Sequence, residues 1–159
     1  ELLLLDEPTT GVDPVSRHEF WEMIKPLPSR GTTILVSTAY MDEAAQCEEV
    51  ALMDQGRILR RGTPAGLRRL LSGRIFELRD GDLSKLRLFL AGAAWATDLR
   101  LLGDRIQLKL AAEHAAEGAA CIKEALAAAR FQTRITPAEP SFEDIFIDLL
   151  SDKEAICRQ

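Results

Sequence analysis

Two carboxylates stand side by side where a run of leucines ends, in Leu2-Leu3-Leu4-Leu5-Asp6-Glu7-Pro8, and Thr9-Thr10-Gly11-Val12-Asp13-Pro14 follows directly. An aspartate so placed, Asp6, can hold a Mg²⁺ that bridges nucleotide phosphates, directly or through water. The neighbouring Glu7 can orient or deprotonate an attacking water. Asp13 precedes a proline, the arrangement of a helix cap. Phosphate chemistry also needs a cradle, and the usual one is Gly-x-x-x-x-Gly-Lys-Ser/Thr, whose backbone amides and lysine surround the phosphates. None of the ten glycines opens that motif.

The elements that must position these groups can be read from periodicity and turn chemistry. Four leucines bounded by acids fit a short strand buried on both faces, as in a parallel sheet. Ligands of an open α/β sheet gather at the carboxyl ends of such strands. Pro14 then opens a helix, Val15 to Leu27, that ends among Pro26, Pro28 and Gly31. The β-branched, apolar run Thr33 to Ser37 is a second buried strand, parallel to the first, and Met41 to Cys47 is a short acidic helix. Glu49 to Asp54 and Arg57 to Arg61 form a hairpin about Gln55-Gly56. Thr63 and Pro64 start a helix that runs to Leu71.

Ser72-Gly73 marks a change of style. The expected order beyond it is strand Arg74–Arg79, helix Leu83–Leu90, strand Thr97–Leu102, strand Arg105–Leu110, helix Ala116–Ala129 and strand Gln132–Thr136. This β-α-β-β-α-β order matches a split βαβ, or ferredoxin-like, arrangement. A last amphipathic helix, Ser141 to Leu150, has Ser141 as N-cap and Asp144 three residues on, close to a capping box. Its Phe142, Ile145, Phe146 and Leu149 share one face, which should pack on its own domain.

Composition narrows the function class. The 159 residues are 47% hydrophobic and 28% charged, enough for one domain or two small ones. A net charge of −5 and a pI near 5.1 argue against a general nucleic-acid partner. Cys47, Cys121 and Cys157 are scattered, with no Cys-x-x-Cys and no Cys/His cluster, which argues against structural zinc and suits a reducing compartment. No apolar stretch approaches the roughly 20 residues that span a bilayer, and the leucine run lacks the flank of a signal peptide. His18 and His114 read as structural or solvated. Arg60, Arg61, Arg68, Arg69 and Arg74 read as a solvated basic face, with contact to anionic lipid or phosphate as the alternative.

The first of these segments resembles the Walker B strand and D-loop of ABC-transporter ATPase subunits. Ser37-Thr38-Ala39-Tyr40-Met41-Asp42-Glu43-Ala44 resembles their switch-histidine loop and the helix after it, and Val50 to Ile58 resembles the hairpin that follows. Glu139-Pro140-Ser141-Phe142-Glu143-Asp144-Ile145-Phe146 is similar to the segment that closes many exporter subunits of this kind. The resemblance implies an α/β fold: the C-terminal part of a P-loop NTPase domain over 1–72, a small α+β ferredoxin-like accessory domain over 73–150, and a tail over 151–159. It implies ATP and Mg²⁺, with Asp6 as metal ligand, Glu7 as general base and Asp13 reaching across a dimer of ATPase subunits. Ala39 stands where most members carry a histidine that contacts the γ-phosphate. An alanine cannot make that contact.

The phosphate loop, glutamine loop and signature motif of the family lie before the Walker B strand. The chain is therefore expected to be the C-terminal part of a longer subunit and inactive alone. Its first two strands should leave apolar faces and edges uncovered. Implied partners are a transmembrane permease subunit and a second ATP-binding subunit, at the cytoplasmic face of the cell membrane. The rival expectation is a non-catalytic interaction or regulatory module left from a degenerate ATPase.

Overall fold

The computed structural model describes the backbone of residues 1–157 and the side chains of residues 1–151. Strand β1, Leu2–Asp6, pairs in parallel with β2, Thr33–Ser37, in the register Leu2 to Thr33 through Asp6 to Ser37. Helix α1, Pro14–Ile24, joins them and buries Trp21 and Ile24. It stops short of Leu27 because Pro26 and Pro28 have no N–H to extend the ladder. Leu27 bonds back to Ile24 in 3₁₀ fashion instead, and Pro28–Arg30 forms a 3₁₀ turn.

The first two strands correct the expectation of burial on both faces. Leu3, Leu5, Ile34 and Val36 are half-buried, but Leu2, Leu4 and Leu35 are 65%, 64% and 64% exposed. Among the described residues the sheet has two strands and nothing lies over that second face. The uncovered apolar surface expected of this pair is thus present.

Helix α2 is a single turn, Met41–Ala44, continued by 3₁₀-type bonds from Gln46 and Cys47 rather than by helix. Strands β3, Val50–Asp54, and β4, Arg57–Gly62, form the antiparallel hairpin. Its turn residues Gln55 and Gly56 both have positive φ, 48° and 74°, as a type I′ turn requires. Thr63 caps α3, Pro64–Arg68, by accepting from the Gly66 N–H at 3.1 Å, and a 3₁₀ turn follows to Leu71.

Beyond this point β5, Ile75–Arg79, α4, Leu83–Leu90, β6, Ala96–Leu102, β7, Arg105–Leu110, α5, Ala119–Ala128, and β8, Arg134–Pro137, build an antiparallel sheet in the order β6-β7-β5-β8. Helix α5 starts three residues later than Ala116, because Gly118, at φ 50° and ψ −125°, breaks the helical backbone there. One face of the sheet carries Phe76, Leu78, Ile106 and Leu108, which close a core with Leu86 and Leu90 of α4 and Ile122 and Leu126 of α5. The result is a mixed α/β structure. No helix among the described residues is long and apolar enough to cross a membrane.

Helix α6, Phe142–Cys157, starts with the expected box: the Ser141 N–H donates to Asp144 Oδ2 at 2.8 Å, and the Asp144 N–H donates to Ser141 Oγ at 3.1 Å. Phe142 and Ile145 are buried with Ile75, and also with Ala44, Val50, Leu52, Leu67 and Leu71 from the first part of the chain. The helix packs on its own sheet and on the earlier segment at once. Phe142→Ala should therefore destabilise the chain by about 3–5 kcal/mol, read from a denaturant melt. Amide exchange should show the loss in the β3–β4 hairpin as well as in the second sheet.

The charged residues of that sheet meet the other side of α6. Asp148 accepts from Lys109 at 2.9 Å and pairs with Arg74 at 3.3 Å, while Asp144 pairs with Arg100 and accepts from Gln107. Arg74 accordingly departs from the solvated face expected of the basic stretch, its side chain being only 13% exposed. Arg68 lies over the Phe142 ring, 5.5 Å from its centroid. Arg60, Arg61 and Arg69 are exposed, with Arg61 paired to Glu49.

Candidate nucleotide site

Asp6 and Ser37 end the two parallel strands side by side, which sets their side chains at the edge where an open sheet receives ligands. The Ser37 hydroxyl donates to Asp6 Oδ1. The next N–H along the chain, that of Glu7, donates to both Ser37 O at 3.0 Å and Ser37 Oγ at 3.1 Å. Ser37 thus fixes one oxygen of Asp6, and the second has no bond among the described residues. A hard oxygen donor on a strand end, open to solvent, suits Mg²⁺, which takes one or two carboxylates together with substrate phosphates.

Glu7 turns the chain sharply. Its φ of +42° lies in the left-handed region, uncommon for a residue with a Cβ. The Thr10 hydroxyl donates to Glu7 Oε2 at 3.0 Å, and the Thr10 N–H to Glu7 O at 3.1 Å, so one threonine holds both ends of the glutamate. Val12 then bonds back to Thr9 O, and Gly11 supplies a second positive φ, 76°. This tight loop delivers Asp13 to the start of α1, where Oδ1 accepts from the Val15 and Ser16 N–H groups at 3.0 and 3.1 Å. Hydrogen bonds from the Ser16 side chain first, then from the Ser16 backbone, hold the Asp13 carboxyl below its ordinary range. Asp13 is engaged with its own helix, and its cap bonds run to Val15 and Ser16, not to Asp6 or Ser37.

Ala39 follows β2 in an exposed loop, two positions after Ser37. Its methyl group offers neither donor nor acceptor. Next to it Tyr40 lies under the Arg17 guanidinium, 4.4 Å from the ring centroid, and Arg17 also approaches Asp42 at 3.8 Å. An open groove runs from Ala39 and Met41 past Arg68 to Phe142 and Glu143 at the start of α6. Asp6, Glu7 and Ala39 thus share the carboxyl end of the sheet.

Several groups escaped the sequence-based expectations. The Ser37, Thr9, Thr10 and Thr38 hydroxyls all take part in the site's bonding. Glu43, in a segment read as a plain acidic helix, is buried. The absence of a Cys/His cluster also needs correction. His114, Glu117 and Cys121 bring one ligand atom each within 4.8 Å of one another, because a 3₁₀ turn followed by α5 puts these spaced residues on one side. Within that group His114 Nδ1 lies 3.0 Å from a largely exposed Glu117 carboxylate, an ordinary surface hydrogen bond. His18 is exposed on α1.

Comparison of the sequence with known proteins finds relatives. No family model matches the chain. It is 38% identical over 153 residues to the "Probable multidrug ABC transporter ATP-binding protein YbhF" of Escherichia coli, a match that covers 94% of this chain and 25% of that protein. It is 44% identical over 83 residues to the "Daunorubicin/doxorubicin resistance ATP-binding protein DrrA" of Streptomyces peucetius, covering 52% of this chain and 25% of the relative. With the "Daunorubicin resistance ATP-binding protein DrrA3" of Streptomyces coeruleorubidus the identity is 31% over 166 residues, covering 98% of this chain and 50% of the relative. The chain therefore spans between a quarter and a half of the length of these relatives. With a carboxylate pair at the ends of parallel strands, and similarity along nearly its whole length, this chain belongs to the ATP-binding proteins of ABC transporters and corresponds to a part of one.

Proposed function

We propose that this chain supplies the Walker B, D-loop and switch-loop part of the ATP site in an ABC exporter subunit, with residues 1–72 as the ATPase portion. Residues 73–150 serve as an accessory domain of ferredoxin-like type, and 151–159 as a tail. The observation that carries this reading is the Asp6–Glu7 pair locked to Ser37 at the carboxyl ends of β1 and β2.

In this reading Asp6 directs Mg²⁺, which, when bound, neutralises charge developing on the nucleotide phosphates. Ser37 keeps the Asp6 carboxylate turned toward that position. Glu7, steadied by Thr10, orients the attacking water and accepts its proton. Asp13, at the outer end of the D-loop, meets a second ATP-binding subunit, so that closure of the dimer reports nucleotide occupancy. The permease subunit that carries cargo is a separate membrane protein, which puts this chain at the cytoplasmic face of the membrane. These 159 residues contain no Gly-x-x-x-x-Gly-Lys-Ser/Thr phosphate cradle of their own.

The direct test is phosphate release from Mg-ATP by the purified chain and by a longer subunit that joins it to a Walker A loop. The chain alone should give no turnover above background, and the longer subunit should hydrolyse in an Asp6-dependent manner. Steady turnover by the chain alone, lost on Glu7→Gln, would show that the cradle is not needed.

Ala39 favours a second reading, in which the site binds ATP and closes without hydrolysing it, as a regulatory half. The substitution Ala39→His separates the two. If the lost imidazole limits a hydrolytic site, single-turnover rates in the longer subunit should rise on the order of tenfold to a hundredfold. A neutral imidazole there can donate one hydrogen bond to a γ-phosphate. An unchanged rate with nucleotide affinity intact would assign the site to ATP-dependent closure.

A further inference from the structure

Glu43 and Thr9 are each 1% exposed, and the carboxylate of one meets the hydroxyl of the other away from water. Thr9 Oγ1 donates to Glu43 Oε1 at 2.7 Å, and Thr38 Oγ1 donates to Glu43 Oε2 at 2.7 Å. Both lengths are short, at the range of hydroxyls that donate to a charged oxygen. The chain continues the linkage, since the Tyr40 N–H donates to Thr38 Oγ1 at 3.0 Å. Burying a carboxylate is costly unless its oxygens are satisfied. Here both are satisfied, and the two donors come from different loops. Thr9 belongs to the turn that follows Glu7, and Thr38 directly precedes Ala39.

The neighbouring residues show that packing alone does not call for an acid. Ala44, the next residue, is buried in the apolar cluster with Val50, Leu52 and Phe142, and Met41 packs against the same cluster. An apolar side chain at 43 would fill space and leave two threonine hydroxyls without their acceptor. A carboxylate instead has two oxygens fixed in one plane at a set separation, which ties two donors to one rigid group.

We infer that Glu43 is a positioning residue that clamps the Glu7-bearing loop to the Ala39-bearing loop, so that the D-loop and the switch loop shift as one unit. This rests on the proposed nucleotide site for its catalytic consequence, but the clamp itself is a property of this chain. Its function would be to pass a displacement of the D-loop, where a second subunit is proposed to sit, to the loop facing the γ-phosphate.

Amide hydrogen exchange on this chain tests the clamp without nucleotide. Glu43→Ala should speed exchange in residues 9–12 and 38–40 together, while the sheet around Leu78 and Leu108 keeps its protection. Glu43→Gln should restore both loops, because its amide oxygen accepts from one threonine and its NH₂ donates to the other, whose hydroxyl rotates. Acceleration in one loop only, in neither, or evenly across the chain would overturn the clamp. Should Glu43→Ala fail to fold, Thr9→Val and Thr38→Val carry the same test: each should loosen the loop on the far side of the carboxylate as well as its own.

In the longer subunit with a Walker A loop, Glu43→Ala should lower the single-turnover rate on the order of tenfold to a hundredfold, with ATP affinity held within about twofold and recovery in Glu43→Gln. The Thr9→Val and Thr38→Val losses should be strongly non-additive, because both act through one group. Additive losses, or equal losses in rate and affinity, would overturn the positioning role. A wild-type subunit that hydrolyses no ATP would refute the proposed function and leave the exchange result to decide the clamp.

Discussion

Glu7→Gln, made in a subunit that joins this chain to a phosphate-binding loop, should lower single-turnover ATP hydrolysis by about 10²–10⁴-fold and leave Mg-ATP affinity near wild type. The two side chains have the same shape. A glutamine at position 7 can still accept from the Thr10 hydroxyl, which lies 3.0 Å from Glu7 Oε2, so the loop should hold its course. What changes is basicity, since an amide accepts no proton from water. Asp6 and its bond from Ser37 are untouched, so the carboxylate proposed to direct the metal is preserved. The measurement is phosphate formed in one turnover, beside nucleotide affinity by a fluorescent analogue. A loss of affinity equal to the loss of rate would mean that Glu7 serves binding. No loss of rate would remove it as the base.

A large effect on stability is expected at the start of α6. Asp144 is buried at 2% exposure and pairs with Arg100, accepts from Gln107, and closes the cap of α6 through the Ser141 N–H and hydroxyl. Asp144→Ala should destabilise the chain by about 3–5 kcal/mol, the usual outcome when one member of a buried ion pair is removed. Two losses combine there: the Arg100 guanidinium keeps only Asp98, at 3.2 Å, and a distant Glu143, and α6 loses half of its capping box. The check is the denaturation midpoint of the purified variant against wild type. A loss below about 1 kcal/mol, the range of an exposed pair, would show that the Asp98 pair suffices for Arg100.

The two carboxylates, the strand they end and the loop to Asp13 were legible because each depends on local chemistry: an apolar run, an acid pair, a glycine, an Asp-Pro step. The β3–β4 hairpin and the order of strands and helices beyond Ser72 were legible for the same reason, through Gln55-Gly56 and alternating segments. Glu43 was not. Asp42 and Glu43 are adjacent acids in a single helical turn, and no periodicity tells which of them faces inward when the element is too short to have a stripe. The second face of α6 was hidden too. Asp144 was legible only as half of a cap and Asp148 not at all, and it is Arg100, Lys109 and Arg74 that draw them inward. The exposed leucines of β1 mark the opposite case, where the sequence declares an interior that the described residues do not enclose.

Backbone and side chain make opposing demands at position 7. A glutamate held at φ +42° carries a conformational cost of about 1–3 kcal/mol, which a glycine would not incur. A lineage under no pressure to keep chemistry at this turn would be free to drift toward glycine or asparagine and gain stability by doing so. β-Branched residues would be shut out in either case. The acid therefore stands against the preference of its own backbone.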